Sequence, residues 1–153
     1  CTAKKTEFQQ ESIRPYVDCV ITFEELQALF DSKDIDITTL EEGHMYFASY
    51  FGRIFARSGG LTEAVAEAIK EQGVTDFELR PVVCNGIAEC KMTLLKANKG
   101  IDVGNFIEGM ACVGGCVNGA GCLTHSERNK LEVDKSGNEA FEKSISNVLK
   151  ILQ

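Results

Sequence analysis

No stretch of this 153-residue chain approaches the roughly 20 consecutive apolar residues that cross a bilayer, so no membrane span is expected. Basic charge is scarce as well. Sixteen Lys and Arg stand against 23 Asp and Glu, a net charge of -7. That balance argues against nucleic acid as a partner, because phosphate binding needs a basic surface. No internal repeat or low-complexity linker divides the sequence. An even cysteine count is missing too: there are seven. A secreted disulfide scaffold would favour an even number in a smaller, loop-rich chain. Reduced thiols in a cytoplasmic setting are expected instead, some binding metal and others buried as small apolar residues. With 44% apolar and 25% charged residues, residues 1–153 have the composition of one ordinary globular domain.

What is present alternates between helical and strand-like segments. Val17 to Thr22 is a short β-branched run and predicts a strand, with Cys19 buried inside it. Thr22 can cap a helix over Phe23 to Asp31, with Glu25 completing a capping box. Residues 32–51 show little periodicity and predict a long irregular excursion, where His44 reads as a surface histidine. Gly59-Gly60 breaks the chain before a helix from Leu61 to Gln72, ended by Gly73. Asp76 to Cys84 predicts a strand, Gly86 to Lys99 a helix stopped by Gly100, and Asn105 to Met110 a third strand. Cys84 and Cys90 then read as packing between helix and sheet. The charged stretch Glu127 to Lys135 reads as a solvated loop. Asn138 to Leu152 predicts a closing helix with Phe141, Ile145, Val148, Leu149 and Leu152 on its apolar face. The alternation implies an α/β fold: a three-layer unit with a mainly parallel sheet flanked by helices.

The most informative run is Glu108-Gly109-Met110-Ala111-Cys112-Val113-Gly114-Gly115-Cys116. Two thiols four residues apart sit in a glycine-rich turn, directly after a strand, at the carboxyl edge where ligands of such sheets gather. Thiolates bind soft metal and glycines admit an inorganic core, so the run points to an iron–sulfur redox site. A phosphate-binding loop is the competing reading, but neither G-x-x-x-x-G-K-[ST] nor the dinucleotide glycine spacing is present. A structural zinc site of Cys112, Cys116, Cys122 and His125 is a further rival, although its spacing is not that of a common finger. At the other end, Cys1, Lys4 and Glu7 recur at intervals of three and can share one helical face. There Lys4 could serve an anionic ligand and Glu7 could orient Lys4, although on these residues alone a frayed polar terminus is the simpler reading. In Ile54-Phe55-Ala56-Arg57-Ser58-Gly59-Gly60, sequence logic favours a buried core phenylalanine followed by a tight turn.

Taken together, these segments resemble the large catalytic subunit of the iron-only (di-iron) hydrogenases. Cys1, Lys4 and Glu7 match that family's Cys-x-x-Lys-x-x-Glu signature, which a proline precedes. Glu108 to Cys116 match Glu-x-Met-Ala-Cys-x-Gly-Gly-Cys throughout, and residues 54–60 resemble the family's phenylalanine-bearing turn. The resemblance implies interconversion of dihydrogen with protons and electrons at a 4Fe–4S cluster. One cysteine sulfur bridges that cluster to a di-iron subcluster with carbon monoxide, cyanide and dithiolate ligands. By matching position, Cys1 and Cys112 would bind the 4Fe–4S cluster and Cys116 would also bridge to the di-iron unit. Lys4 would hydrogen-bond a cyanide, while Met110 and Phe55 would line an apolar pocket. A ferredoxin-type electron donor or acceptor is implied as partner. The family's first signature, with the remaining cluster cysteine, is not in this sequence. The chain is therefore expected to be a C-terminal fragment of a hydrogenase catalytic domain, inactive and metal-free by itself, whose partner is the N-terminal part of the same polypeptide. Ala120, Cys122 and His125 depart from the family pattern and suggest a divergent subgroup, for which dihydrogen sensing is open. A hydrogenase-like iron–sulfur assembly protein without the di-iron unit is the main alternative.

Overall fold

In the computed structural model, residues 1–43 and 48–151 are described; His44 and Leu152, singled out above, lie outside them. Seven α-helices and two strands occur among the described residues: α1 (Thr2–Glu7), α2 (Phe23–Asp31), α3 (Tyr50–Arg53), α4 (Gly60–Glu71), β1 (Pro81–Asn85), α5 (Ile87–Asn98), β2 (Phe106–Met110), α6 (Glu127–Asn138) and α7 (Ile145–Ile151). Short 3₁₀ turns cover Ile37–Thr39 and Cys116–Asn118. The fold is α/β. Its sheet is the parallel pair β1–β2, with Pro81 opposite Phe106 and Asn85 opposite Met110. Parallel strands need a crossover between them, and α5 supplies it while packing on both.

Local signals account for the middle of the chain. Thr22 caps α2 by accepting from the Glu25 N–H, and the Glu25 carboxylate accepts from the Thr22 N–H in return. α4, α5 and β2 lie within one or two residues of their expected bounds, while β1 starts later than expected. Cys84 is buried in β1, and Cys90 lies half-buried on α5 with its thiol near the Cys84 and Met110 carbonyls (3.9 and 3.8 Å).

Three expectations fail, each for a tertiary reason. Residues 17–22 form no strand and Cys19 is exposed; the Val20 carbonyl accepts from Lys5 Nζ (3.0 Å) rather than from a neighbouring strand. β-branched composition does not suffice without a ladder partner. Residues 127–135 are helical, not a loop. α6 carries little apolar surface, so no periodic signal marks it, yet it packs closely on α3. A Cβ at its Gly137 would lie 2.8 Å from Ile54 Cγ2. Finally, α7 starts only at Ile145, where the Glu71 carboxylate accepts from the N–H groups of Ile145 and Ser146 (2.8 and 2.9 Å). Phe141 lies before that helix and is 80% exposed, while Val148 is buried as expected.

Candidate metal centre

Both strands end at the same edge, and the glycine-rich loop leaves β2 there. Asn85, at the end of β1, accepts from the Gly114 N–H (2.9 Å), and Met110 accepts from the Gly86 N–H (2.7 Å). The loop is folded back by Gly115 N–H to Cys112 C=O (3.0 Å), with Gly114 and Gly115 at φ of 83° and 99°. Side chains rarely adopt that conformation. Space matters as much: a Cβ on Gly115 would lie 2.5 Å from the Ser58 nitrogen.

The reason for this close approach is the segment 54–60, which the loop grips along its length. Val117 N–H donates to Ala56 C=O (3.0 Å) and Ser58 N–H to Gly114 C=O (3.1 Å). The buried Glu108 carboxylate accepts from Gly59 N–H (2.8 Å), Thr62 N–H (2.8 Å) and the Thr62 hydroxyl (2.6 Å). Glu108 thus caps α4 in place of Gly59, which has no side chain to do so. Arg57 is buried between Glu63 (2.8 Å) and Asp134. Burial pulls its pKa down, but hydrogen bonds and charge from both carboxylates outweigh that and raise it. Ile54, not Phe55, is the core residue of this segment: Ile54 is fully buried and Phe55 is 47% exposed. The expectation of a core phenylalanine is overturned.

Four cysteines border one space. Cys1, Cys112, Cys116 and Cys122 line one cavity of about 320 Å³, together with Phe23, Ala56, Val117 and Val133 among others; Cys1 and Cys116 are exposed, and Cys112 and Cys122 are half-buried. The cavity's size far exceeds the roughly 30 Å³ that one water takes up, and cysteines and apolar residues make up its lining. Gly119 and Gly121 make room for them. A Cβ on Gly119 would sit 3.1 Å from Cys112 Sγ, and one on Gly121 would sit 3.0 Å from the Cys1 nitrogen. Cys1 also borders a second cavity, shared with Lys4 and Glu7, so the three residues spaced by threes do face one space. Lys4 Nζ donates to the Glu7 carboxylate. Lys5, which the spacing argument passed over, ties α1 to α2 through Glu25 (2.7 Å), and that hydrogen bond leads the lowering of the Glu25 pKa.

His125 and the zinc reading fare differently. Its Nδ1 lies 3.2 Å from the Asn118 carbonyl, and His125 does not line the thiol cavity. Among the described residues, no three His, Cys, Asp or Glu side chains gather as a site for a single ion. The zinc quartet is therefore not supported. Met110 is half-buried at the end of β2, and neither it nor Phe55 lines the thiol cavity. Asn129 was missed altogether. From α6 its side-chain amide donates to Val117 C=O (2.9 Å), Asn118 Oδ1 (3.1 Å) and Thr124 C=O (2.8 Å), pinning the far side of the loop.

Compared with known proteins, residues 1–120 match the family described as the iron only hydrogenase large subunit, C-terminal domain. The chain belongs to that family. It is also 30% identical, over 155 aligned positions, to Iron hydrogenase 1 of Clostridium pasteurianum. That alignment covers 79% of this chain and 27% of the relative, so the chain spans about a quarter of the relative's length. Cys1, Lys4, Phe55, Met110, Cys112 and Cys116 all fall inside the matched hydrogenase-family region. Cys122 and His125 fall beyond it. No helix among the described residues is long and apolar enough to cross a membrane.

Proposed function

We propose that this chain forms part of the catalytic domain of an iron-only hydrogenase and holds an iron–sulfur cluster through Cys1, Cys112 and Cys116. One observation carries the reading: three cysteines from the two signature segments, far apart in sequence, line a single cavity. The group proposed there is a 4Fe–4S cluster joined through Cys116 to a di-iron subcluster with carbon monoxide, cyanide and dithiolate ligands. Bound there, it would supply the electron transfer and the interconversion of dihydrogen with protons and electrons.

The chain's own residues would do the rest. Loss of the thiol protons turns Cys1, Cys112 and Cys116 into ligands. Lys4 offers N–H donors to an anionic ligand such as cyanide, and its pairing with Glu7 sets its direction. Both side chains are about half exposed, so the pair orients Lys4 more than it stabilises the fold. Phe23, Val117 and Val133 would supply the apolar wall beside the cluster. Met110 and Phe55 are assigned to the apolar wall of the di-iron unit. Met110 stands two residues before Cys112, and Phe55 adjoins Ala56 of the cavity wall. A ferredoxin-type protein would exchange the electrons in the cytoplasm.

The test is infrared spectroscopy on the full-length polypeptide expressed with the hydrogenase maturation machinery. Cyanide and carbonyl stretching bands, lost in Cys116→Ser, are expected. A cluster signal without those bands would replace the hydrogenase reading with that of an iron–sulfur assembly relative.

A further inference from the structure

α1 has Cys1 at its start and carries Lys4, yet nothing inside it explains how it keeps its place. It has six residues, none of them buried, and no side chain caps its first turn. A helix that short does not hold itself together in water, so contacts outside it must fix it. Among the described residues, the side-chain hydrogen bonds that leave α1 all come from Lys5. Its ammonium donates to the Val20 carbonyl (3.0 Å) and to both Glu25 carboxylate oxygens (2.8 and 2.7 Å). An ammonium has three N–H donors, and three acceptors stand against them. The same Glu25 carboxylate accepts from the Thr22 N–H (2.7 Å) and so completes the cap of α2.

The start of α2 meets the glycine turn after Cys116 as well. Phe23 N–H donates to Gly121 C=O (2.9 Å), and a Cβ on Gly121 would lie 3.0 Å from the Cys1 nitrogen and 3.7 Å from Thr22 Cγ2. The capped end of α2 thus joins α1 to that turn. Cys1 and Lys5 are four positions apart and share one side of α1, while Lys4 is turned about 100° from Lys5. Holding Lys5 therefore sets the rotation of α1 about its axis, and with it the directions of Cys1 and Lys4. The Lys5 and Glu25 side chains are 35% and 49% exposed, so the pair adds little stability; what it supplies is orientation. Resting on the reading above that Cys1 holds a cluster and Lys4 serves an anionic ligand, we propose that Lys5, acting through Glu25, is the positioning residue that aims both at the centre held by Cys112 and Cys116.

The full-length polypeptide, matured with the hydrogenase machinery, is to be compared with its Lys5→Met, Lys5→Arg, Glu25→Gln and Lys5→Met/Glu25→Gln variants. Lys70→Met, which breaks an exposed pair with Glu67 on α4 outside the thiol cavity, is the control. The readouts are the infrared cyanide bands, the rate at which a chelator removes iron, and the thermal midpoint by circular dichroism. Lys5→Met is expected to shift or split at least one cyanide band and to lose iron several-fold faster, at a nearly unchanged midpoint. Glu25→Gln should do the same to a smaller degree, because its amide keeps one acceptor oxygen. Lys5→Arg keeps a cation with N–H donors and should keep the wild-type bands. The double variant should match Lys5→Met, since the two side chains act as one unit. Lys70→Met should change neither bands nor iron loss. Wild-type bands and iron loss in folded Lys5→Met would overturn the proposal; should Lys5→Met not mature, the milder Glu25→Gln decides on the same outcomes. A lowered midpoint with unshifted bands would also overturn it, since a merely structural tie produces that, and so would single effects that add in the double variant. A wild type without cyanide and carbonyl bands, or a Cys112→Ser variant that keeps them, would instead remove the hydrogenase reading and this proposal with it.

Discussion

Glu108 opens the signature run, yet its carboxylate meets backbone and hydroxyl donors of residues 59–62 instead of the thiols. Its charge is buried where the first N–H groups of α4 emerge, so it serves as the cap that glycine cannot provide. Removing it would leave two part-buried N–H groups without that partner. Glu108→Ala is expected to destabilise the fold by about 3 kcal/mol, read as a lower urea midpoint at unchanged slope. Glu108→Gln keeps the volume, but its amide group turns donors toward donors on one side, so a smaller loss of about 1–2 kcal/mol is expected. An unchanged midpoint in Glu108→Ala would show that the cap is dispensable. Arg57 is the complementary case, a buried cation bridging Glu63 on α4 and Asp134 on α6.

At the scale of elements, α7 depends on one carboxylate from another helix. The Glu71 pKa is lowered from 4.5 to about 2, first by the Ser146 side-chain and backbone hydrogen bonds, which outweigh desolvation, with further help from the Ile145 N–H and the Ser144 side chain. The folded value lies below the unfolded one. The contribution is therefore complete above about pH 4.5 and is lost as the pH falls towards 2. Hydrogen exchange at the α7 amides should keep its protection down to mildly acidic pH and lose it below. Glu71→Gln should weaken that protection at neutral pH and reduce its acid dependence, leaving the part that Glu142 contributes through Ser144 and Asn147; an unaltered profile would contradict the docking role. α6 makes the same point without titration, since contacts with α3 and the Cys116–Asn118 turn hold a helix that has almost no apolar stripe.

At the scale of the whole molecule, apolar surface is poorly covered. Among the described residues the buried apolar set is small: Ile54, Ala64, Cys84, Ala140 and Val148. Ile87, Met92, Leu94 and Leu95 of α5 and Val83 of β1 are exposed instead. Ile87, Leu94 and Leu95, with Gly109 and Ala111, line an open groove of about 720 Å³. Parallel strands are usually covered on both faces, and open edges invite pairing. The 153-residue chain by itself is accordingly expected to self-associate and to bind a hydrophobic dye, and Leu94→Lys with Leu95→Lys should reduce both. Light scattering checks this; a monodisperse monomer that binds no dye would contradict it.

The α/β class, the capped α2, the helices α4 and α5, β2 and the placement of Cys112 and Cys116 at the sheet's carboxyl edge were all legible in the residues. Each rests on short-range rules: periodicity, capping, glycine stops, and a loop that must follow its strand. Family membership was legible for a similar reason, because it resides in contiguous signatures such as Glu108 to Cys116. Long-range contacts decided what remained. Residues 17–22 have strand composition without a strand partner, residues 127–135 have loop composition but lie against α3, and Phe55 gave up the core to Ile54. The gathering of Cys1, Cys112, Cys116 and Cys122 around one cavity belongs to that second group. Spacing along a chain sets which thiols can meet within a loop; only the packing of α1, α2 and the glycine turn sets which thiols meet across the molecule.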